Sequence, residues 1–174
     1  ADRWVKSNAS LKGDALAKAL EQQTWDPSVK SLVNFPDVLG MMSEKLDWTT
    51  KLGDAFLAQQ KEVMNAIQKL RRKAKENGNL DSNEQQKIIV EPAAPAPSDG
   101  STTTTTTTTV TETYIIESAN PQVIYVPTYN PTVVYGAWPY PAYPPYYYYP
   151  PGYVAGTAAL SFGLGVAAGA LVTA

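Results

Sequence analysis

The chain has 174 residues, enough for one ordinary domain, and a formal net charge of −2. It contains neither Cys nor His, which excludes disulfides, a thiolate nucleophile, an imidazole base and the usual zinc sites. From Ser118 to Ala174 there is no Asp, Glu, Lys or Arg. Because a soluble surface is usually about a quarter charged, this end of the chain is not an ordinary solvated surface.

The amino-terminal part of the chain has the pattern of short helices. Gly13 offers a start for the first, whose Leu and Ala residues recur at helical spacing. Asp26 followed by Pro27 is a typical capping residue and first helical position. Pro36 ends that helix, and the residues after it predict a further short one.

The strongest helical signal runs from Asp47, which we expect to cap the helix, to Gly78, which closes it in the left-handed position. An apolar stripe continues over roughly 28 residues, or about 40 Å of helix. Two interpretations remain: packing against the preceding short helices, or a coiled-coil seam between subunits. The candidates for the oligomer seam are Leu52, Phe56, Val63, Ile67 and Leu70.

A basic run, Lys69 to Lys75, lies in the last turns of this predicted helix. Cations there complement the helix dipole, so a solvated helix end accounts for them. With a net charge of −2 and no second basic patch, nucleic acid is not an expected partner.

Four short runs rich in β-branched and aromatic residues follow: QKIIVEP, TETYIIES, PQVIYVP and PTVVYG. Bounded by Pro, Asn and Gly, they predict the strands of a small sheet or barrel. A Pro- and Thr-rich insert, 92–110, separates the first two. Its threonines, 102–109, fit either a glycosylated linker or a polar strand that other copies of the chain would have to complete.

Residues 137–153 are dominated by Pro and Tyr, which predicts extended or polyproline II chain. Tyrosines in such a segment suit an aromatic-lined groove or a membrane interface. Because an apolar run follows, we expect a collar at the membrane interface. The predicted interfacial aromatics are Trp138, Tyr140, Tyr143, Tyr146, Tyr147, Tyr148, Tyr149 and Tyr153.

The last segment, 154–174, is uncharged and rich in Gly and Ala. As a helix its final twenty residues would be about 30 Å long, the thickness of a hydrocarbon core. Small residues four positions apart let helices approach closely in lipid. A buried helix in a soluble core is the alternative. The glycines predicted to make membrane or oligomer contacts are Gly152, Gly156, Gly163, Gly165 and Gly169.

Three motifs carry a resemblance to a known family: WDPSVK at 25–30, MMSEKLDW at 41–48 and NPTVVYG at 130–136. Over nearly its whole length the chain resembles the DUF3300 family of Gram-negative bacteria. The resemblance implies a secreted or envelope protein, with a signal peptide and helical segment before Ala1 and a polar tail beyond the apolar run. It supplies no catalytic residues and no assigned function.

The predicted fold class is α+β. We expect a helical domain over 1–80, a β section over 81–136 containing the insert, a Pro/Tyr-rich extended segment over 137–153, and an apolar, membrane-inserting helix over 154–174.

The expected function is a non-enzymatic, self-assembling structural protein of the Gram-negative cell envelope, in the periplasm or outer membrane. It would form a homo-oligomer and contact the membrane through its carboxyl-terminal segment. The alternative is a soluble envelope module that binds cell wall or polysaccharide through exposed Trp and Tyr and is anchored by the apolar tail.

No cofactor, metal or catalytic residue is predicted. Without His or Cys, acid–base catalysis would depend on carboxylates such as Asp81, Glu84 and Glu91. Nothing pairs these carboxylates at a meaningful spacing, and each suits a helix or turn.

Overall fold

A computed structural model describes residues 1–92 and 112–149, and the backbone of 160–162 and 166–167. The described residues form helices and short antiparallel strands, which confirms the α+β class. The helices are α1 (Asp2–Ser7), α2 (Gly13–Glu21), α3 (Pro27–Leu32), α4 (Pro36–Glu44), α5 (Leu46–Ala58), α6 (Gln60–Glu76) and α7 (Pro131–Val134). The strands are β1 (Gln86–Pro92), β2 (Glu112–Ser118), β3 (Val123–Ile124), β4 (Pro127–Tyr129), β5 (Leu160–Phe162) and β6 (Val166–Ala167).

The predicted starts of the short helices are confirmed. At α3 the Asp26 carboxylate accepts a hydrogen bond from the Ser28 N–H at 2.9 Å, and Pro27 occupies the first helical position. Hydrogen bonds from Ser28 lower the pKa of Asp26, so the capping carboxylate stays ionised at lower pH than an ordinary Asp does. Helices α2 and α4 begin at Gly13 and Pro36.

The single long helix predicted from Asp47 to Gly78 is wrong, because the chain breaks at Gln59 (φ −150°, ψ 54°) into α5 and α6. Helix α5 packs against α4, whereas α6 packs against β2. The break therefore lies between two helices that pack against different elements of the chain. Asp47 does not cap α5 but lies in its first turn, where it pairs with Lys51. Gly78 has the predicted positive φ, +69°.

Strands β1 and β2 pair in antiparallel register, from Gln86 opposite Ser118 to Pro92 opposite Glu112. They confirm the first two predicted strands. The third predicted strand is reduced to β3, and the fourth, PTVVYG, is wrong because it forms α7.

Local capping explains why α7 is helical despite its β-branched residues. The Asn130 side chain accepts a hydrogen bond from the Thr132 N–H at 3.0 Å, and Pro131 takes the first helical position. Gly136, with φ +70°, then turns the chain away. These end signals outweigh the β propensity of two valines.

The predicted apolar helix over 154–174 is contradicted where the structure describes it. Strand β5 pairs with β4, and β6 pairs with β3. Glycine is a poor helix former, and β3 and β4 offer backbone edges for the tail to pair with. In the described part of the chain, no helix has the length and apolar character needed to cross a membrane.

Several predictions fall outside the described residues. They concern the threonine tract, Tyr153 and the glycines at 152, 156, 163, 165 and 169.

The main hydrophobic cluster lies where α6, β2 and α7 meet. Its buried members are Ala74, Leu80, Tyr114 and Val134. Hydrogen bonds reinforce this junction, since Arg71 Nη1 donates to the Tyr114 carbonyl at 2.7 Å. The cluster therefore fixes α6 to the β section.

Candidate functional sites

Helix α5 exposes an unusual amount of apolar surface. Trp48, Leu52 and Phe56 follow one another at four-residue spacing and are each at least 40% exposed. Leu57 is 86% exposed, and no residue of α5 is buried. We call Trp48, Leu52 and Phe56 the α5 face. A contiguous apolar face of this kind is a candidate interaction surface.

The predicted oligomer seam is divided by the break at Gln59. Leu52 and Phe56 on α5 are exposed. On α6, by contrast, Ile67 and Leu70 are half-buried and line a cavity of about 310 Å³. Other lining residues come from the β section of the same chain, including Tyr129, Val134 and Tyr135. Val63 is also half-buried. The α5 half of the stripe is thus the part that remains available to another molecule.

The Pro/Tyr-rich segment folds back onto the amino-terminal helices. Residues Tyr146 to Tyr149 form one wall of an open groove of about 490 Å³, and α1 and α4 form the other. We call this the tyrosine groove. It is lined by Lys6, Pro36, Asp37, Gly40, Met41, Glu44, Tyr146, Tyr147, Tyr148 and Tyr149.

Aromatic contacts hold this segment against α5. The ring of Trp48 stacks on Tyr146 with centroids 5.4 Å apart and planes 25° apart. Lys45 Nζ lies 5.8 Å from the centroid of the same tyrosine ring, a cation–π distance. Earlier in the segment, a hydrogen bond within the segment itself joins Trp138 Nε1, the donor, to the Tyr143 carbonyl at 2.8 Å.

The predicted interfacial aromatics have different surroundings. Tyr140 and Tyr143 are 62% and 79% exposed, and neither lines the groove. Tyr147 and Tyr149 line the groove yet remain about two-fifths exposed. Trp138, Tyr146 and Tyr148 are half-buried.

Burial raises the pKa of Tyr148 to about 12, and the negative charge of Asp37 adds to the effect. Like any tyrosine, Tyr148 keeps its proton at neutral pH and can donate a hydrogen bond, and its raised pKa extends this range into alkaline solution. In the cavity beside α6, burial likewise raises the pKa of Tyr135, whose hydroxyl lies 2.6 Å from that of Tyr129.

The described residues contain no cluster of three or more acidic side chains that could hold a metal ion. Of the carboxylates considered for catalysis, Asp81 is paired with Lys75. Glu84 and Glu91 are exposed, in the turn before β1 and within β1.

Sequence reasoning missed the helical wall of the groove. Asp37, Gly40 and Glu44 lie three and four residues apart, so they share one face of α4. This spacing was a readable signal for a shared face. The sequence gives no signal that this face of α4 would lie against tyrosines about a hundred residues later in the chain.

The fold and these surfaces define a small α+β protein with an aromatic-rich extended segment. A family model described as "Protein of unknown function (DUF3300)" matches residues 1–173, and the chain belongs to this family. The chain is 41% identical over 162 residues to "Uncharacterized protein YacH" of Escherichia coli (strain K12). That match covers 86% of this chain and 26% of YacH, so the chain spans about a quarter of this relative's length. No solved structure matches.

Proposed function

We propose that the protein is a non-enzymatic, self-assembling structural component of the Gram-negative cell envelope, and that it forms a homo-oligomer associated with the outer membrane. The observation that carries the proposal is the α5 face. Three large apolar side chains on one helix remain at least 40% exposed in the single chain, although Trp48 also stacks on Tyr146.

A second copy of the chain is the occupant that this face suits best. Most soluble oligomers are homo-oligomers, and in a two-fold interface the same patch serves both partners. An α5 face meeting its own copy would bury Trp48, Leu52 and Phe56 of each chain together. Removal of such apolar area from water is favourable by about 25 cal/mol per Å².

The envelope assignment has two supports. The first is the uncharged stretch from Ser118 to Ala174, which would be poorly hydrated on an isolated chain. The second is membership of a family that has a relative in a Gram-negative bacterium, Escherichia coli. Membrane association would involve residues of this stretch.

The test is the mass of the purified full chain, measured by size-exclusion chromatography with light scattering, with and without detergent. We expect oligomers for the natural chain and a shift toward monomer for the double variant Leu52→Glu/Phe56→Glu. The matched control, Thr50→Glu/Gln60→Glu, adds the same two charges at exposed polar positions and should leave the mass unchanged. A natural chain that is monomeric without detergent would refute self-assembly.

A further inference from the structure

The tyrosine groove has features of a ligand site that self-assembly does not explain. We infer that it binds a neutral oligosaccharide built of pyranose rings with equatorial hydroxyls. The inference does not depend on the proposed self-assembly, because none of the three α5-face residues lines the groove, although Trp48 stacks on the groove residue Tyr146.

The size and shape of the groove suit an extended small ligand. Its volume of about 490 Å³ lies within the range of small-molecule sites. Asp37 and Glu44 are seven residues apart on α4, which separates them by about 10 Å along the helix axis. Gly40 lies between them and adds no side chain to that wall.

The aromatic wall provides ring surface for stacking. Tyr147 and Tyr149 have centroids 5.9 Å apart and planes tilted by 41°, and both rings remain partly exposed. Pyranose rings with equatorial hydroxyls present flat C–H faces, which pack on aromatic rings. Tyr146 is fixed by its stack on Trp48, so part of the wall is ordered before a ligand binds.

The polar groups favour a neutral ligand over a charged one. Asp37 and Glu44 would repel an anion, whereas Lys6, which is paired with Asp2, and Lys45 beside Tyr146 partly offset their attraction for a cation. Hydroxyl groups both donate and accept, so they can use carboxylates, ammonium groups and tyrosine hydroxyls alike. Tyr148 contributes a protonated hydroxyl near Asp37.

The experiment titrates the full chain with two soluble probes, the β-1,4-linked tetramers of N-acetylglucosamine and of glucose. Binding is followed by calorimetry and by the intrinsic fluorescence of the four tryptophans, of which Trp48 stacks on a groove tyrosine. We expect at least one tetramer to bind saturably, with an affinity that stays the same from low to high salt.

Variants locate the site. Tyr147→Ala/Tyr149→Ala should weaken binding by about tenfold or more. The matched control Tyr140→Ala/Tyr143→Ala removes two more exposed tyrosines outside the groove and should bind normally. Because all four rings are exposed, circular dichroism should show that both variants keep the fold.

Three results would overturn the inference: no binding of either tetramer, an equal loss in both double variants, or salt-sensitive binding of tetralysine that Asp37→Asn/Glu44→Gln abolishes. The last would assign the groove to cationic ligands. Light scattering on the same samples reports self-assembly separately, so failure of one proposal is distinguishable from failure of the other.

Discussion

At the scale of single residues, Tyr148 links local burial to the chemistry of the groove. Its hydroxyl is held in the neutral form by burial and by the nearby Asp37 carboxylate, which raise its pKa to about 12. In an unfolded chain a tyrosine titrates near pH 10. Between about pH 10 and pH 12, Tyr148 is therefore still protonated in the folded state but already deprotonated in the unfolded state.

The sign of the resulting pH dependence follows from this difference. The stabilisation from neutral Tyr148 is fully present below about pH 10 and is lost as the pH rises toward 12, because the unfolded state is then favoured by deprotonation. We expect the free energy of unfolding, measured by urea denaturation, to fall over this interval. Tyr148→Phe should make the fall shallower.

Tyr143→Phe is the matched control, because that side chain is 79% exposed and should leave the profile unchanged. Tyr135 also has a raised pKa, so it should cause part of the loss of stability at alkaline pH in every variant. A Tyr148→Phe profile identical to that of the natural chain would contradict the assigned burial of this hydroxyl.

Residue-scale features were the most readable from the sequence. Asp26 and Pro27 start a helix, and Gly78 adopts a positive φ, as their types and spacing predict. These signals act between neighbours within one turn. Asp47 was misread because a residue suited to capping is also favourable in the first turn of a helix, where it lies.

At the scale of elements, β2 is attached to α6 by side chains and not by another strand. The Tyr114 N–H donates to Gln68 Oε1 at 2.8 Å, and Gln68 Nε2 donates to the Tyr114 carbonyl at 3.4 Å. Arg71 donates to the same carbonyl. The Gln68 amide thus takes the place of a neighbouring strand at this point of the sheet edge.

Gln68→Ala should therefore destabilise the protein more than loss of a surface glutamine. The Tyr114 N–H would lose its acceptor, and an unsatisfied buried donor costs about 1–3 kcal/mol. Chemical denaturation measures the effect, and hydrogen exchange at Tyr114 should accelerate. Gln60→Ala, at an exposed position of the same helix, should change stability little. Equal losses in the two variants would show that the Gln68 contact does not stabilise β2.

The errors at the element scale have two physical causes, one local and one distant in the sequence. PTVVYG has strand-forming residues, yet its flanking Asn130 and Pro131 start a helix. The apolar tail has helix length, yet its described parts pair with β3 and β4. The break at Gln59 carries no Gly or Pro signal. In the last two cases partners distant in the sequence decide the structure, and a pattern read along the chain does not contain them.

At the scale of the whole molecule, the end of the described chain folds back onto its beginning. Helices α1 to α5 lead into α6, which joins the β section through its contact with β2. The segment after α7 then returns to α1 and α4 at the tyrosine groove. The tyrosines were functional candidates from the sequence alone. They share a groove with Asp37 and Glu44 only because the segment after α7 folds back onto α4. The groove is thus a product of tertiary folding and not of any one segment.

We expect the stack of Trp48 on Tyr146 to hold the segment after α7 against α5. Aromatic pairs with such geometry contribute about 0.5–1.5 kcal/mol beyond the area they bury. A double-mutant cycle with Trp48→Ala and Tyr146→Ala, measured by urea denaturation, should give a coupling energy in that range.

The control cycle pairs Trp48→Ala with Tyr140→Ala, whose ring instead contacts Trp138. Sites without a shared contact are additive, so this cycle should give a coupling near zero. Similar couplings in both cycles would mean that Trp48 acts on the returning segment as a whole. Zero coupling in the first would mean that the segment is held by its other groove contacts alone. Since Tyr146 also lines the groove, Tyr146→Ala should in addition weaken the sugar binding inferred above, and Tyr140→Ala should not.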